Sequence, residues 1–561
     1  MKKLINRPED VVREMLEGAA LLNPGVALLA NENVIVRADL PQPNDRKVAV
    51  LSGGGSGHEP AHAGFVGEGM LTAAIAGDVF TSPSTDAVLG AIRAVSGPAG
   101  AVLIVKNYTG DRLNFGLAAE LARAEGIPVE VVLVSDDVAL RETVPTDRRR
   151  GIAGTVLVHK VAGAAADQGM SLDEVAGLAR QVAGDVVSMG ISLGACTLPA
   201  VGKPGFILAD DEIEVGLGIH GEQGVSRMPI GPVDGLCSLI LDTMNADRPF
   251  VAGTKFAVVV NGLGTTPPME LSIVARSTIR QLRDRGVTAE RAWAGTFMSA
   301  LDMPGFSLSI LPLNDALKNL LDAPTTASAW PRGGAVNTDP VRSVIVATET
   351  FADLAEPSTQ GRLIFECARA AANALIATEP ELTELDRIAG DGDLGTSMKR
   401  GGEAILAMPV SSFATPADGL ANIGNVLRRV IGGSSGPFYA TGFLRAAREL
   451  ADLDEPKMRD WANAFSAGVA AISELGGAKL GDRTMIDALK PAADKLMEMA
   501  GKSAFNAEAI QAAAKAAAEG AEATKSMAPR LGRASYLNEH IVRGHPDGGA
   551  VAVSVWLKAI S

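Results

Sequence analysis

The chain has 561 residues and a formal net charge of −14 at pH 7, with 47% hydrophobic and 21% charged residues. That acidic balance excludes a broad nucleic-acid-binding face, and no uncharged apolar run reaches the ~18 residues of a membrane-spanning helix. At roughly 150 residues per domain, the length implies three or four structural units.

Aromatic residues make up 4% of the chain and glycines number 62. A core of Ala, Val, Leu and Ile is therefore expected, with many tight turns and close backbone approaches. The N-terminus turns polar before a secretory apolar core can form. Cys196, Cys237 and Cys367 are far apart and match no zinc or redox spacing, which points to a cytoplasmic protein with buried thiols. The basic cluster Arg148-Arg149-Arg150 reads as a solvated loop.

In chain order, short Val-rich runs at 47–51, 101–105, 129–134 and 255–260 read as buried strands, each bounded by Gly, Pro, Asp or Asn. Helical patterns at 114–125 and 270–285 lie between them, so this half is α/β. Segment 325–339 is rich in Thr, Gly, Pro and Ala and reads as a linker. From 355 onward the Val-rich runs nearly vanish. Long Ala/Leu patterns at 359–377, 461–475 and 506–523 predict an all-α helical bundle.

Three of the six histidines sit in glycine-rich segments: His58, His62 and His220. The first two belong to Ser52-Gly53-Gly54-Gly55-Ser56-Gly57-His58-Glu59-Pro60-Ala61-His62, which follows the strand at 47–51. Loops at strand C-termini are where open α/β sheets bind ligands. His58-Glu59-x-x-His62 formally fits a zinc-protease pattern, but Pro60 and four preceding glycines oppose the continuous helix this needs. The glycine spacing also misses the dinucleotide fingerprint. A structural turn remains the alternative to a small-molecule site using His58.

Gly77-Asp78-Val79-Phe80-Thr81-Ser82-Pro83-Ser84 is a polar loop of the same kind. After the strand at 101–105 come Lys106 and Asp111. There a carboxylate can take a hydroxyl proton and a lysine can donate to a substrate oxygen. Equally, Asp111 or Thr109 could cap the helix that follows. In Gly216-Leu217-Gly218-Ile219-His220-Gly221, the glycines leave open space around both ring nitrogens of His220. A working imidazole and a structural histidine both fit.

In the second half, Asp386, Asp391 and Asp393 put three carboxylates within eight residues, which repel unless a cation sits among them. Hard divalent ions suit such a set, though a solvated acidic loop is the alternative. Gly432-Gly433-Ser434-Ser435-Gly436-Pro437 could cradle phosphates at a helix start. Gly481-Asp482-Arg483-Thr484 and Gly532-Arg533-Ala534 add arginines beside glycines. No P-loop and no protein-kinase signature set occurs.

Together these segments resemble the dihydroxyacetone kinase family in its single-chain, ATP-dependent form, along nearly the whole chain. The resemblance implies a ketose-binding α/β domain over 1–330, with two subdomains meeting near 185–195. A linker over 331–354 and an all-helical ATP- and Mg²⁺-binding barrel over 355–561 would follow. It implies that His220 forms a covalent hemiaminal with the ketone, that Asp111 is the general base, and that His58 assists the reacting hydroxyl. Gly55, Ser82 and Lys106 would surround the substrate oxygens. Asp386, Asp391 and Asp393 would hold two Mg²⁺ ions, and Ser434, Ser435, Gly436, Gly477, Arg483 and Asp547 would bind the nucleotide. It also implies a cytoplasmic homodimer whose active site draws on different subunits.

The expected reaction converts dihydroxyacetone to its phosphate. An erythrulose kinase is the alternative, followed by an FAD-AMP lyase forming cyclic FMN or a non-enzymatic dihydroxyacetone-sensing regulator. Two positions depart from the family pattern. Leu394 stands where members served by a sugar phosphotransferase system have His, which favours free ATP. Asp547-Gly548-Gly549-Ala550 stands where Asp-Pro-Gly-Ala is usual.

Overall fold

The computed structural model describes residues 2–337, 343, 356–453, 455–501, 507–531, 533–536 and 539–561. The chain divides into two compact units, Met1–Ser343 and Val344–Ser561.

The first unit contains two six-stranded sheets. One is built from β1 (Val26–Leu28), β2 (Val34–Arg37), β3 (Ala49–Ser56), β4 (Ala73–Val79), β5 (Ala101–Lys106) and β6 (Val129–Val134). Its order is β1-β2-β4-β3-β5-β6, and β3 lies between parallel neighbours β4 and β5. The other is built from β7 (Val187–Ser192), β8 (Glu212–Val215), β9 (Ser226–Pro229), β10 (Lys255–Gly262), β11 (Thr288–Gly295) and β12 (Gly305–Leu313), in the order β11-β10-β12-β7-β8-β9.

Strand alternation divides the core. Ala257 and Val259 of β10 join a cluster with the first sheet and helix Thr155–Asp167, whereas Phe256, Val258 and Val260 face helices Val233–Asp247 and Pro268–Asp284. Helix Thr155–Asp167 is thereby buried over almost its full length.

Two sequence expectations need correction here. The strand expected at 47–51 runs on through the glycines to Ser56 and is buried throughout. These glycines serve close backbone approach more than loop flexibility. A Cβ at Gly55 would lie 2.6 Å from the backbone of Phe80 and Thr81, and one at Gly53 would press on the Ile75 carbonyl. The start of the expected linker is also docked. Thr326 N–H donates to the Glu68 carbonyl at 3.1 Å, and Ala327 and Trp330 are buried. Segments 338–342 and 344–354 lie outside the described residues.

The second unit has no strand among its described residues. Eight helices pack in sequence: Thr359–Ala377, Leu394–Leu406, Pro416–Val430, Ser435–Glu449, Met458–Gly476, Ile486–Ala500, Ala507–Ala523 and Gly548–Ala559. The last returns to the first and closes a barrel. A cavity of about 430 Å³ lies inside it, lined by apolar residues such as Ile364, Ile405, Leu427 and Val469. Among the described residues no helix is long and apolar enough to cross a membrane.

Candidate active site

The end of β3, the turn after β4 and the end of β5 bring the chemical groups of the first unit together. Helix Thr109–Ala124 begins directly after β5. Its N-cap residue is Tyr108, with no side-chain cap bond, so neither Thr109 nor Asp111 caps it. Instead Asp111, 2% exposed, accepts a hydrogen bond from the Ser82 hydroxyl at 2.5 Å. Lys106 is fully buried, and its ammonium lies 4.0 Å from Asp111 and donates to the Gly53 carbonyl at 3.1 Å. Burial pushes the Lys106 pKa down, opposed by the Asp111 charge. Gly54 is left-handed at φ +149°, and a Cβ there would collide with the Lys106 ammonium. Gly55 faces the Phe80–Thr81 turn that leads to Ser82.

His58 is fully buried. Its Nδ1 donates to the Ser299 carbonyl at 2.9 Å, while Nε2 has no hydrogen-bond partner. Burial, then the neighbouring His220 and Lys106, hold its pKa well below the usual range. The ring is therefore a neutral base with an available lone pair.

His220 is also more enclosed than its neighbouring glycines implied. Its ring meets those of His58 at 4.7 Å, Tyr108 at 4.5 Å and Phe80 at 5.2 Å, all edge-on. Its Nδ1 lies 3.3 Å from Glu222, which also accepts from the His220 backbone N–H at 2.9 Å. Burial alone would raise the Glu222 pKa, but its hydrogen bond and attraction to His220 bring it down to about 2. With Nδ1 as donor, the lone pair of a neutral His220 ring sits on Nε2.

Of the arginine cluster only Arg148 is solvated. Arg149 is buried and pairs with Asp247 at 2.9 Å, and Arg150 pairs with Asp137 at 2.6 Å. Arg150 also donates to the Gly216 carbonyl at 2.8 Å and so anchors the loop that carries His220.

In the second unit, ligand oxygens of Asp386, Asp391 and Asp393 lie within 4.8 Å of one another. Asp386 lies in the last turn of helix Glu379–Ala389 and accepts from the backbone N–H groups of Asp393 at 2.9 Å and Leu394 at 3.2 Å. These bonds fold the loop and aim the three carboxylates together. Ser434, Ser435 and Gly436 form the start of helix Ser435–Glu449. Beside that first turn ends helix Met458–Gly476, since a Cβ on Gly476 would touch the Phe438 ring. Gly477 closes this helix in the left-handed conformation at φ +71°.

Arg483 is 2% exposed. It donates to the carbonyls of His545 at 3.0 Å and Val542 at 3.3 Å, but its Nε and one terminal nitrogen have no partner. Asp547 caps helix Gly548–Ala559 through a bond from Ala550 N–H at 2.8 Å. Burial pushes its pKa up to about 6; the Ala550 bond and Arg483 oppose this, while Asp487 and Asp386 add to it. Gly532 lies outside the described residues.

A Dak1 domain model matches residues 17–329 and a DAK2 domain model matches residues 388–561. The chain belongs to the dihydroxyacetone kinase family. It is 43% identical to a putative 3,4-dihydroxy-2-butanone kinase of Solanum lycopersicum, covering 100% of this chain and 97% of the relative. It is 44% identical to a triokinase/FMN cyclase of Homo sapiens, covering 100% and 98%. The dihydroxyacetone kinase of C. freundii in complex with AMP-PNP and Mg²⁺ superposes with a TM-score of 0.66 at 36% identity, covering 100% and 99%.

Against the dihydroxyacetone kinase pattern, the two departures meet in space. A Cβ on Gly548 would lie 2.8 Å from Cδ2 of Leu394. The side chain at 394 thus occupies the room that a larger residue at 548 would use. Sequence reasoning left Glu222 and His62 without roles. Glu222 carried a faint signal, an acid two residues beyond His220. His62 stands in a motif whose spacing points only to zinc.

Proposed function

We propose that this family member transfers the γ-phosphoryl group of ATP to a hydroxyl of a small ketose held on His220 as a hemiaminal. Dihydroxyacetone is the simplest substrate, and a four-carbon erythrulose offers the same carbonyl. The reading is carried by the His220–Glu222 pair beside the neutral ring of His58 and the Ser82–Asp111–Lys106 group. In the addition, the Nε2–carbon bond forms as the carbonyl π bond breaks. In net terms the Nδ1 proton ends on the former carbonyl oxygen. Glycerol has no electrophile and would not be held.

Asp111 then takes the proton of the reacting hydroxyl, and His58 Nε2 accepts from and orients that hydroxyl. Lys106, Ser82 and the Gly55 backbone hold the substrate oxygens. Asp386, Asp391 and Asp393 are a hard oxygen set that fits two Mg²⁺ ions, as AMP-PNP and Mg²⁺ are bound in the C. freundii relative. The ions would supply the positive charge that phosphoryl transfer needs. Ser434, Ser435, Gly436, Gly477, Arg483 and Asp547 would hold the nucleotide, with the unpartnered Arg483 nitrogens as donors to phosphate.

Three free cysteines support a reducing, cytoplasmic setting. A homodimer completes the proposal, and a monomer in light scattering would remove that part. The human relative's name favours a second activity, FAD cleavage to cyclic FMN, which product analysis after incubation with FAD would reveal. The clustered carboxylates oppose a purely regulatory protein, which has no use for a phosphate-bridging metal site.

The test is ATP consumption with dihydroxyacetone, D-erythrulose, L-erythrulose and glycerol. Turnover with a ketose but not with glycerol is expected, and no ketose-dependent turnover overturns the kinase reading. A His220→Ala enzyme is expected to lose ketose affinity; full affinity would remove the tether.

A further inference from the structure

Behind Lys106 lies a buried chain of polar groups that the proposed chemistry does not use. The Lys106 ammonium lies 2.8 Å from Nε2 of His62. His62 Nδ1 lies 3.3 Å from the Ser52 hydroxyl, and Nε2 of His159 lies 3.1 Å from that same hydroxyl. Ser52 donates its proton to the Ile104 carbonyl at 2.7 Å. All four side chains are buried: Ser52, Lys106 and His159 are fully covered and His62 is 6% exposed.

The proton positions follow from the acceptors. Ile104 O can only accept, so the Ser52 proton is committed to it and the Ser52 oxygen accepts from both rings. His62 therefore carries its proton on Nδ1 and presents the Nε2 lone pair to Lys106. His159 carries its proton on Nε2, and its Nδ1 is left without a partner. Burial, then the Lys106 charge, keep the His62 pKa far down, so the ring stays an acceptor. Of the three ammonium protons of Lys106, one goes to Gly53 O and one to His62, which leaves the third for the side facing Asp111.

We infer that His62 is a positioning residue for phosphoryl transfer: with its tautomer fixed by Ser52, it aims the Lys106 ammonium at the substrate oxygens. This rests on the proposed role of Lys106. The groups that face this ammonium are His62 and His159 behind it, His58 beside it and Asp111 in front. Losing the His62 acceptor frees one ammonium proton to seek another partner and disfavours the charged form.

The test compares Lys106→Met, His62→Leu, His62→Gln and Ser52→Ala in the full chain, by steady-state kinetics across pH with dihydroxyacetone and ATP. His62→Leu is expected to lower kcat about tenfold or more, the cost of one charge-assisted hydrogen bond. The alkaline limb of its profile should move to lower pH. His62→Gln restores an acceptor and should recover most of kcat. Ser52→Ala frees the tautomer with little change in packing and should lower kcat about threefold, below one full hydrogen bond. It serves if His62→Leu fails to fold. Equal losses in His62→Leu and His62→Gln, or unchanged kcat in Ser52→Ala, overturn the inference. If Lys106→Met keeps full kcat, the role of Lys106 falls, and the inference with it. If Lys106→Met is impaired while His62→Leu is not, the inference alone falls.

Discussion

In the first unit the groups around Lys106 are sealed away from water, with His58 and Lys106 fully buried and Asp111 2% exposed, while His220 is half-buried. In the second, Asp391 and Asp393 stand exposed and Asp386 is half-buried. The first site is organised before any ligand arrives, because the fold already gives Ser82, Lys106 and the His58 Nδ1 proton their acceptors. The second concentrates like charge that only a cation can settle. One unit thus supplies buried, internally paired groups, and the other gathers negative charge for a cation to offset. For the proposed ligands, a small substrate tethered at His220 and a nucleotide held by metal and backbone, each plan suits its ligand.

The largest effect that separates the two plans comes from removing the cation. Chelating Mg²⁺, or replacing Asp391 by Ala, should lower turnover by several kcal/mol of transition-state stabilisation, on the order of 10²–10³ in rate. Ketose binding measured by calorimetry should stay unchanged, because the proposed His220 tether uses no metal. A parallel loss of ketose affinity would break the comparison, since the first site would then depend on the second.

How far each plan is legible in the sequence follows from how local its signals are. Strand β6 and helix Thr359–Ala377 coincide with the Val-rich and Ala/Leu-rich runs read from the sequence, because those signals lie within the segments themselves. The three aspartates are close in sequence, so their clustering could be anticipated. The first site was harder to read. That Gly53–Gly55 are strand depends on Ile75, Phe80 and Thr81, which come later in the chain and press against that backbone. Arg149 and Arg150 looked solvated because their partners, Asp247 and the Gly216 carbonyl, lie 98 and 66 residues away. His62 finds Lys106 44 residues on. Where a role depends on a distant partner, residue type and spacing alone leave it open.

The sealed character of the first site also has a pH signature of intermediate size. Burial, and then the Lys106 charge, lower the His159 pKa to about 3, against about 6.5 for an ordinary histidine. As pH falls below about 6.5 the unfolded chain gains a proton that the folded chain refuses. Stability then drops, by at most about 1.4 kcal/mol per pH unit, until the pH nears the folded value. In a His159→Gln chain this contribution is gone. The stability gap between the wild type and the variant should shrink as melts move from neutral to acidic pH. Glu59, Asp136 and Asp137 have raised pKa values and act with the opposite sign, but they are common to both chains and cancel in the gap. A gap that stays constant would mean that His159 titrates normally, and the first site would not be sealed.

The smallest effect concerns the second unit's own packing. Gly548 is the first residue of its helix after the Asp547 cap, a position that suits proline. Glycine-to-proline at a compatible site stabilises by about 0.4–1 kcal/mol, through the entropy of the unfolded chain. Here Leu394 Cδ2, 2.8 Å from where the new Cβ would sit, must first swing aside. Gly548→Pro alone should therefore leave the melting temperature nearly unchanged. Leu394→Ala alone should lower it through lost packing, because Leu394 lies against the cluster around Met398 and Leu427. Together, the two changes should cost less than their sum, since the proline then has the space it needs. A double-mutant cycle measures that coupling. Additivity within about 0.3 kcal/mol would make the two departures independent events. A measurable coupling would tie the loop that aims the three carboxylates to the helix capped by Asp547, so that the exposed site, like the sealed one, is held by its packing.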